Sequence, residues 1–305
     1  MAIEQEEKML IRSIVRGVYD IQKLRIQMGN RVVANFKAKL GQTGSMSEKD
    51  LEKAEAELLG TLRKIYEKIT DGVVVEYRNF KGDGLISTYS EFCLVEEYMK
   101  LEESEQEQFK RLKPIVEHTA IWENFLKGVV GIGPAIAGVI ISELDPAEAR
   151  HVSCFWKYAG VDVAPDGKGR SRRDEHLVER EYVDKDGNTK TKKGITFNPF
   201  LKTKLMGVAA GCFLKCGEKS PYSHVYRNYK NRLENHAVYG IQNEAALKKE
   251  KGKLYSPKAH RHNMAMRYMI KIFLQDLWIA WRGMEGLPVT EPYPVAKLGY
   301  PPHGE

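Results

Sequence analysis

The chain has 305 residues, a net charge of +7 and four cysteines. That length is enough for two domains and a sizeable core. No apolar run is long enough to span a bilayer, which argues against a membrane-spanning class, and the charged start MAIEQEEKML lacks the apolar core of a secretory signal. Cys93, Cys154, Cys212 and Cys216 form no disulfide framework, so a reducing, cytoplasmic compartment is expected.

Charge is unevenly placed. Residues 1–130 hold 20 Lys+Arg against 22 Asp+Glu, whereas residues 131–305 hold 28 against 19. A near-neutral half followed by a basic half points to a polyanion partner for the second. The ordinary alternative is a solvated lysine-rich surface.

The first part reads as long helices. Between Ile3 and Leu40, Leu10, Ile14, Val18, Ile21 and Leu24 recur at helical steps and make one stripe. GQTGSMS breaks that helix, and Ser47 is a candidate N-cap for the next. The second helix carries Leu51, Ala54, Leu58, Leu62, Ile65 and Ile69. Residues 72–87, GVVVEYRNFKGDGLIS, form a break with strand character, and a third helix starts near Ser90, with Pro114 as a kink or interruption. Such helices make a bundle or a coiled coil, and their narrow stripes leave room for a second copy, so a homodimer through the N-terminal helices is expected, with a closed monomeric three-helix bundle as the alternative.

After residue 128 the texture changes. In GVVGIGPAIAGVIIS, Gly131 and Gly133 precede a helix starting at Pro134. Glycine permits positive φ and close backbone approach. The helix start offers free N–H groups and a positive dipole end, which together suit a phosphodiester. The alternative is tight helix packing through Ala135, Ala137 and Gly138. A short helix ending in Ala-Gly follows. Residues 176–197 then read as a hairpin around Asp186-Gly187. Three helices follow, starting at Pro199, Pro221 and Pro257, and the end of the chain is proline-rich and extended.

Basic residues collect in this half. GKGRSRR supplies Lys168, Arg170, Arg172 and Arg173 on a flexible loop, and TKTKKG supplies Lys190, Lys192 and Lys193 on a hairpin arm. On the last helix His260, Asn263, Arg267 and Lys271 share a face, with Arg261 and His262 beside them. Tyr222, Tyr226 and Tyr229 alternate with His224, Arg227 and Lys230, a pattern suited to base stacking. Cys212, Cys216 and His224 match no common zinc spacing, so neither a metal nor another cofactor is expected. A nuclease site finds no converging carboxylates, with Glu143 and Asp145 at a helix end. Ser171, amid arginines, is a conceivable nucleophile or simply part of a phosphate-binding loop.

The segments VVGIGPAIAGVIISEL, FWKYAGVD, NPFLKTKLMGVAAG, SPYSHVYRNYKNRL and HRHNMAMRYMIKIFL, in that order, resemble the C-terminal half of the bridge-RNA-guided insertion-sequence transposases over roughly residues 125–285. That family has an N-terminal RuvC-like domain and a catalytic serine after a YAGL-like segment; here the corresponding patch reads APDGKGRSRR and the N-terminus is helical. The same half resembles the Nop domain of box C/D ribonucleoproteins, which a dimerising coiled coil precedes. The Tas proteins of tandem-interspaced-guide-RNA systems resemble both, and this chain looks most like their nuclease-free form.

The expectation is a mainly α protein. Residues 1–127 form a helical bundle or coiled coil and 128–285 a helical Nop-like domain with a helix-hairpin-helix-like turn and one β-hairpin. Residues 286–305 form the tail. The resemblance implies a non-catalytic protein holding a guide RNA for pairing with target DNA and leaves open a nuclease in trans; from the composition, no membrane is expected. The binding candidates are Gly131, Gly133, Lys168, Arg170, Arg172, Arg173, Lys192, Lys193, His260, Arg261, His262, Asn263 and Arg267. One rival is an RNA-guided serine-type transposase or recombinase acting through Ser171; another is a structural DNA-binding protein without RNA.

Overall fold

A computed structural model describes residues 5–40, 48–252 and 255–291. Ser47 and residues 292–305 of the proline-rich tail lie outside these. The fold is mainly helical, with one two-stranded antiparallel hairpin and a long first helix. No helix among the described residues is long and apolar enough to cross a membrane. The chain divides into two compact units: Ser13–Lys113, and the residues up to Arg12 together with those from Pro114 onward.

The first unit is built from α1 (Gln5–Lys39), α2 (Glu48–Thr70) and α3 (Tyr89–Glu117). On α1, Val18 is fully buried, but Leu10 and Leu24 are about half exposed. The seam runs one face over, through Val15, Val18, Gln22, Arg25, Gly29, Val32 and Phe36, alternating steps of three and four as helices in a coiled coil do. Gly29 allows close approach, since a Cβ there would lie 3.1 Å from the Tyr98 ring. Midway along the seam, buried Glu105 accepts from Gln22 Nε2 at 2.7 Å and from Arg25 Nε. Beyond it, Val32, Phe36, Leu62, Ile86, Phe92, Val95 and Tyr98 close the core.

Residues 72–87 hold no strand; a 3₁₀ turn at Tyr77–Asn79 replaces it, and Val73 and Val74 are exposed. With no strand to pair with, this segment turns back onto the bundle, where Phe80 and Ile86 reach the core. The start of α3 is a capping box: Thr88 Oγ1 accepts the Glu91 amide at 3.3 Å while the Glu91 carboxylate accepts the Thr88 amide at 3.2 Å. Pro114 does not end α3, which continues to Glu117; the division between units falls at this residue.

The second unit adds α4 (Ala120–Asn124), α5 (Pro134–Glu143), α6 (Val152–Tyr158), β1 (Val178–Val183) and β2 (Thr189–Gly194). Then come α7 (Pro199–Lys204), a π turn at Leu205–Ala209, α8 (Ala210–Lys215), α9 (Pro221–Glu234), α10 (Glu244–Lys251) and α11 (Pro257–Met284). α5 is buried from Ile136 through Glu143, as its near-continuous apolar sequence requires. α11 is the central helix, packed against α9, α6 and α10. Phe213, Tyr222 and Phe273 meet with ring centroids 4.9–5.4 Å apart. Trp278 Nε1 donates to the Ala149 carbonyl at 2.7 Å, and buried Arg282 donates to the carbonyls of Pro146, Ala149 and Pro288, pinning the loop after α5.

Candidate nucleic-acid interface

The glycine turn separates into two roles. Gly131 has φ +105°, and a Cβ there would lie 3.0 Å from the Phe213 ring, so this glycine is demanded by packing. Gly133 caps α5 with extended backbone, is exposed and faces open space. Pro134 brings no N–H, and the Gly133 and Ala135 amides precede the first intrahelical donor, Ile136. Only the Gly133 end of the motif is therefore accessible to an anion.

The loop from Val161 to His176 is stapled rather than loose. Val163 and Gly169 form a β-bridge, and the Ala164 amide donates to the Lys168 carbonyl at 2.8 Å. Arg170 grips Asp162 through Nε and Nη2 at 2.7–2.9 Å and also donates to Thr196 at 3.1 Å. Lys168, Arg172 and Arg173 remain exposed on this frame.

Around Asp162 the fold collects four cations from three elements, the loop itself (Arg170), α7 and α11. Lys202 of α7 donates to the Arg170 carbonyl at 2.6 Å and lies 4.5 Å from the Phe197 ring centroid. Lys271 of α11 lies 4.2 Å from the Trp156 ring centroid, while the Trp156 indole N–H donates to the Lys271 carbonyl at 2.9 Å. Arg267, one helical turn earlier, lays its guanidinium against Gly169: a Cβ there would fall 2.0 Å from Nη1. Its Nε is buried with no hydrogen-bond partner among the described residues.

Asp162 is the carboxylate whose charge acts on Arg170, Lys202, Arg267 and Lys271 together. One negative charge faces four positive ones. Burial, then the charge of Arg267, pulls Lys202 down to about 8. Burial likewise lowers Arg267 and Lys271. Gathering like charges in a half-buried place opposes folding unless an anion arrives. A phosphate oxygen supplies what the site lacks, and the Trp156 and Phe197 rings give it a low-dielectric wall.

Other α11 candidates are placed differently. Arg261 is buried, donating to the Tyr239 carbonyl at 3.0 Å and to the Glu244 carboxylate, so it serves the fold. His262 meets the Tyr226 hydroxyl at 2.7 Å, and His260 lies between the Tyr239 and Tyr255 rings. Asn263 is exposed. Tyr222 and Tyr226 are buried and Tyr229 stacks on Tyr268 at 4.2 Å, so these rings are taken up by packing within the fold. Lys192 and Lys193 are exposed on the hairpin.

Sequence reading missed Asp162, Gly169, Trp156 and Lys202 as members of this cluster. A lone carboxylate eight positions before Arg170 was the available signal for Asp162; nothing local marked the rest.

Ser171 has unexpected neighbours. Its amide donates to His176 Nδ1 at 2.9 Å, and its hydroxyl lies 3.1 Å from the same nitrogen. Nδ1 is thus an acceptor, and Nε2–H donates to Asp166 at 3.1 Å. His176 is buried. The hydroxyl also accepts from Arg173 Nε at 3.0 Å.

A cleft of about 870 Å³ elsewhere in the unit is lined by Lys8, Arg12 and Lys157 but equally by Glu143, Asp145 and Glu148, and Lys8 pairs with Asp145 at 2.7 Å. It has no bias toward anions. Among the described residues no three His, Cys, Asp or Glu side chains converge as metal ligands. Comparison with protein-family models, curated proteins and solved structures finds no match.

Proposed function

We propose that this is a cytoplasmic, non-catalytic RNA-binding protein that holds a guide RNA in its basic unit and presents it to target DNA. The observation that carries nucleic-acid binding is the half-buried set Arg170, Lys202, Arg267 and Lys271 around the single carboxylate of Asp162. Long cationic side chains with an aromatic wall grip phosphates without reading sequence. The guide role is supported by the resemblance of residues 125–285 to guided transposases and Nop domains; base pairing would then read the target. The test is RNA binding by fluorescence anisotropy across salt concentrations. Arg267→Gln with Lys271→Gln should weaken single-stranded RNA binding about tenfold and flatten the log–log salt slope by about 1.4, two contacts at roughly 0.7 each. Unchanged affinity and slope would refute the site.

The chain Ser171–His176–Asp166 favours a second reading, a serine-type transposase or recombinase. The imidazole tautomer is fixed with Nδ1 toward the serine, as a general base requires. The Ser171 amide occupies that same lone pair, so activation needs the amide to release it. This reading predicts a covalent protein–DNA adduct that Ser171→Ala abolishes, detectable on denaturing gels.

A further inference from the structure

We infer that the β1–β2 ribbon is a docking element for B-form duplex DNA and enters the major groove with one face. The inference deepens the proposed function by giving the DNA partner its own element, separate from the cluster at Asp162.

The ribbon is unusual in its exposure: every residue of both strands except Gly194 is exposed, Tyr182 and Val183 included. An isolated two-stranded ribbon is at best marginally stable, and nothing in the alternation of this one faces a core. Its register separates two faces. Arg180 stands opposite Lys192 and Tyr182 opposite Lys190 on one; Glu179 stands opposite Lys193 and Glu181 opposite Thr191 on the other. The second face carries two carboxylates against one cation. The first places two cations directly across from each other, an arrangement that destabilises a sheet, and adds a third cation and an exposed ring. Arg180 also donates to the Ile195 carbonyl at 2.9 Å, and Lys190 pairs with Asp184 at 2.7 Å. Lys192 has no such acceptor among the described residues. The closing loop is rigid, because Asp184 accepts the amides of Asp186 and Asn188 at 2.9 Å and Gly187 takes φ +80°.

Shape selects the partner. Strands about 4.8 Å apart and six residues long make a ribbon roughly 20 Å in length, and the major groove of B-DNA admits such a ribbon. The A-form major groove is deep and too narrow for it. Cationic side chains reach the flanking phosphates while Tyr182 meets base edges or thymine methyl groups.

The test uses the full chain with Arg180→Ala and Lys192→Ala combined; both side chains are exposed, so the fold should survive, as circular dichroism will check. Binding to a 20-base-pair DNA duplex should weaken about tenfold, with a salt slope shallower by about 1.8, two contacts at roughly 0.9 each. Binding to single-stranded RNA and to an RNA duplex should stay unchanged. Methylation footprinting should show guanine N7, in the major groove, protected by the parent chain and exposed in the variant. An equal loss on RNA would reassign the ribbon to the RNA, and unchanged DNA binding would remove it from any nucleic-acid surface; either overturns the inference. Intact RNA binding with lost DNA binding leaves the Asp162 cluster standing, and the reverse isolates its failure from that of the ribbon.

Discussion

At the scale of single residues, burial decides what each titratable group contributes. Asp276 on α11 accepts from the Tyr222 hydroxyl at 3.0 Å, yet burial pushes its carboxyl up to about 6. The folded chain therefore holds this proton more tightly than the unfolded chain does. Stability from this group is complete below about pH 4 and is lost as pH rises through about 6. Asp276→Asn, whose amide oxygen can still accept from Tyr222, lacks that loss. Its thermal midpoint should gain on the parent chain between pH 4 and 7, equivalent to about 2–3 kcal/mol; parallel pH profiles would contradict this. Lys202 behaves in the opposite sense, being pulled down to about 8. A docked phosphate restores its proton affinity, so RNA affinity should fall as pH rises through about 8. Calorimetry at pH 8.5 in buffers of different ionisation enthalpy should report proton uptake on binding, and Lys202→Met should abolish it. The two glycines of the turn before α5 separate just as sharply. Gly131→Ala should cost about 1–3 kcal/mol, because it combines a positive φ with a clash against Phe213. Gly133→Ala should cost under about 1 kcal/mol, and chemical denaturation distinguishes them.

At the scale of elements, the seam on α1 illustrates what sequence pattern conveys and what it omits. The helices, the Pro starts of α5, α7, α9 and α11, and the hairpin are written in local periodicity and turn chemistry. The face that α1 buries is not. Leu10 and Leu24 lie at regular spacing yet are exposed, while the polar pair Gln22 and Arg25 lies in the seam. A polar residue belongs in a seam only when its partner is there, and Glu105 stands 80 positions beyond Arg25. Glu105→Ala should destabilise the helical unit by about 3 kcal/mol, because it strands a half-buried arginine. Arg25→Met with Glu105→Leu should recover most of that loss in urea titrations. If the double variant is as unstable as the single, the pair contributes more than charge satisfaction. The same limit hid the cation cluster. Charge counting located the basic half, but Asp162, Lys202 and Arg267 meet only through tertiary packing, and Arg261, six residues before Arg267 on the same helix, is consumed by Glu244.

At the scale of the whole molecule, two units divide the charge. The Ser13–Lys113 unit spends its ions on its own fold, as Arg25 with Glu105, Lys39 with Glu91 and Arg63 with Glu102 show. The unit beginning at Pro114 leaves cations in excess at the Asp162 cluster and on the ribbon. That distribution suits a polyanion at the basic unit, and the polyanion proposed is the guide RNA. The direct measurement is to purify the chain from cells carrying its own locus and sequence whatever nucleic acid remains bound. A guide-RNA role predicts one discrete small RNA, lost from the variant carrying Arg267→Gln and Lys271→Gln. Recovery of no RNA, or of heterogeneous fragments retained equally by that variant, would contradict it.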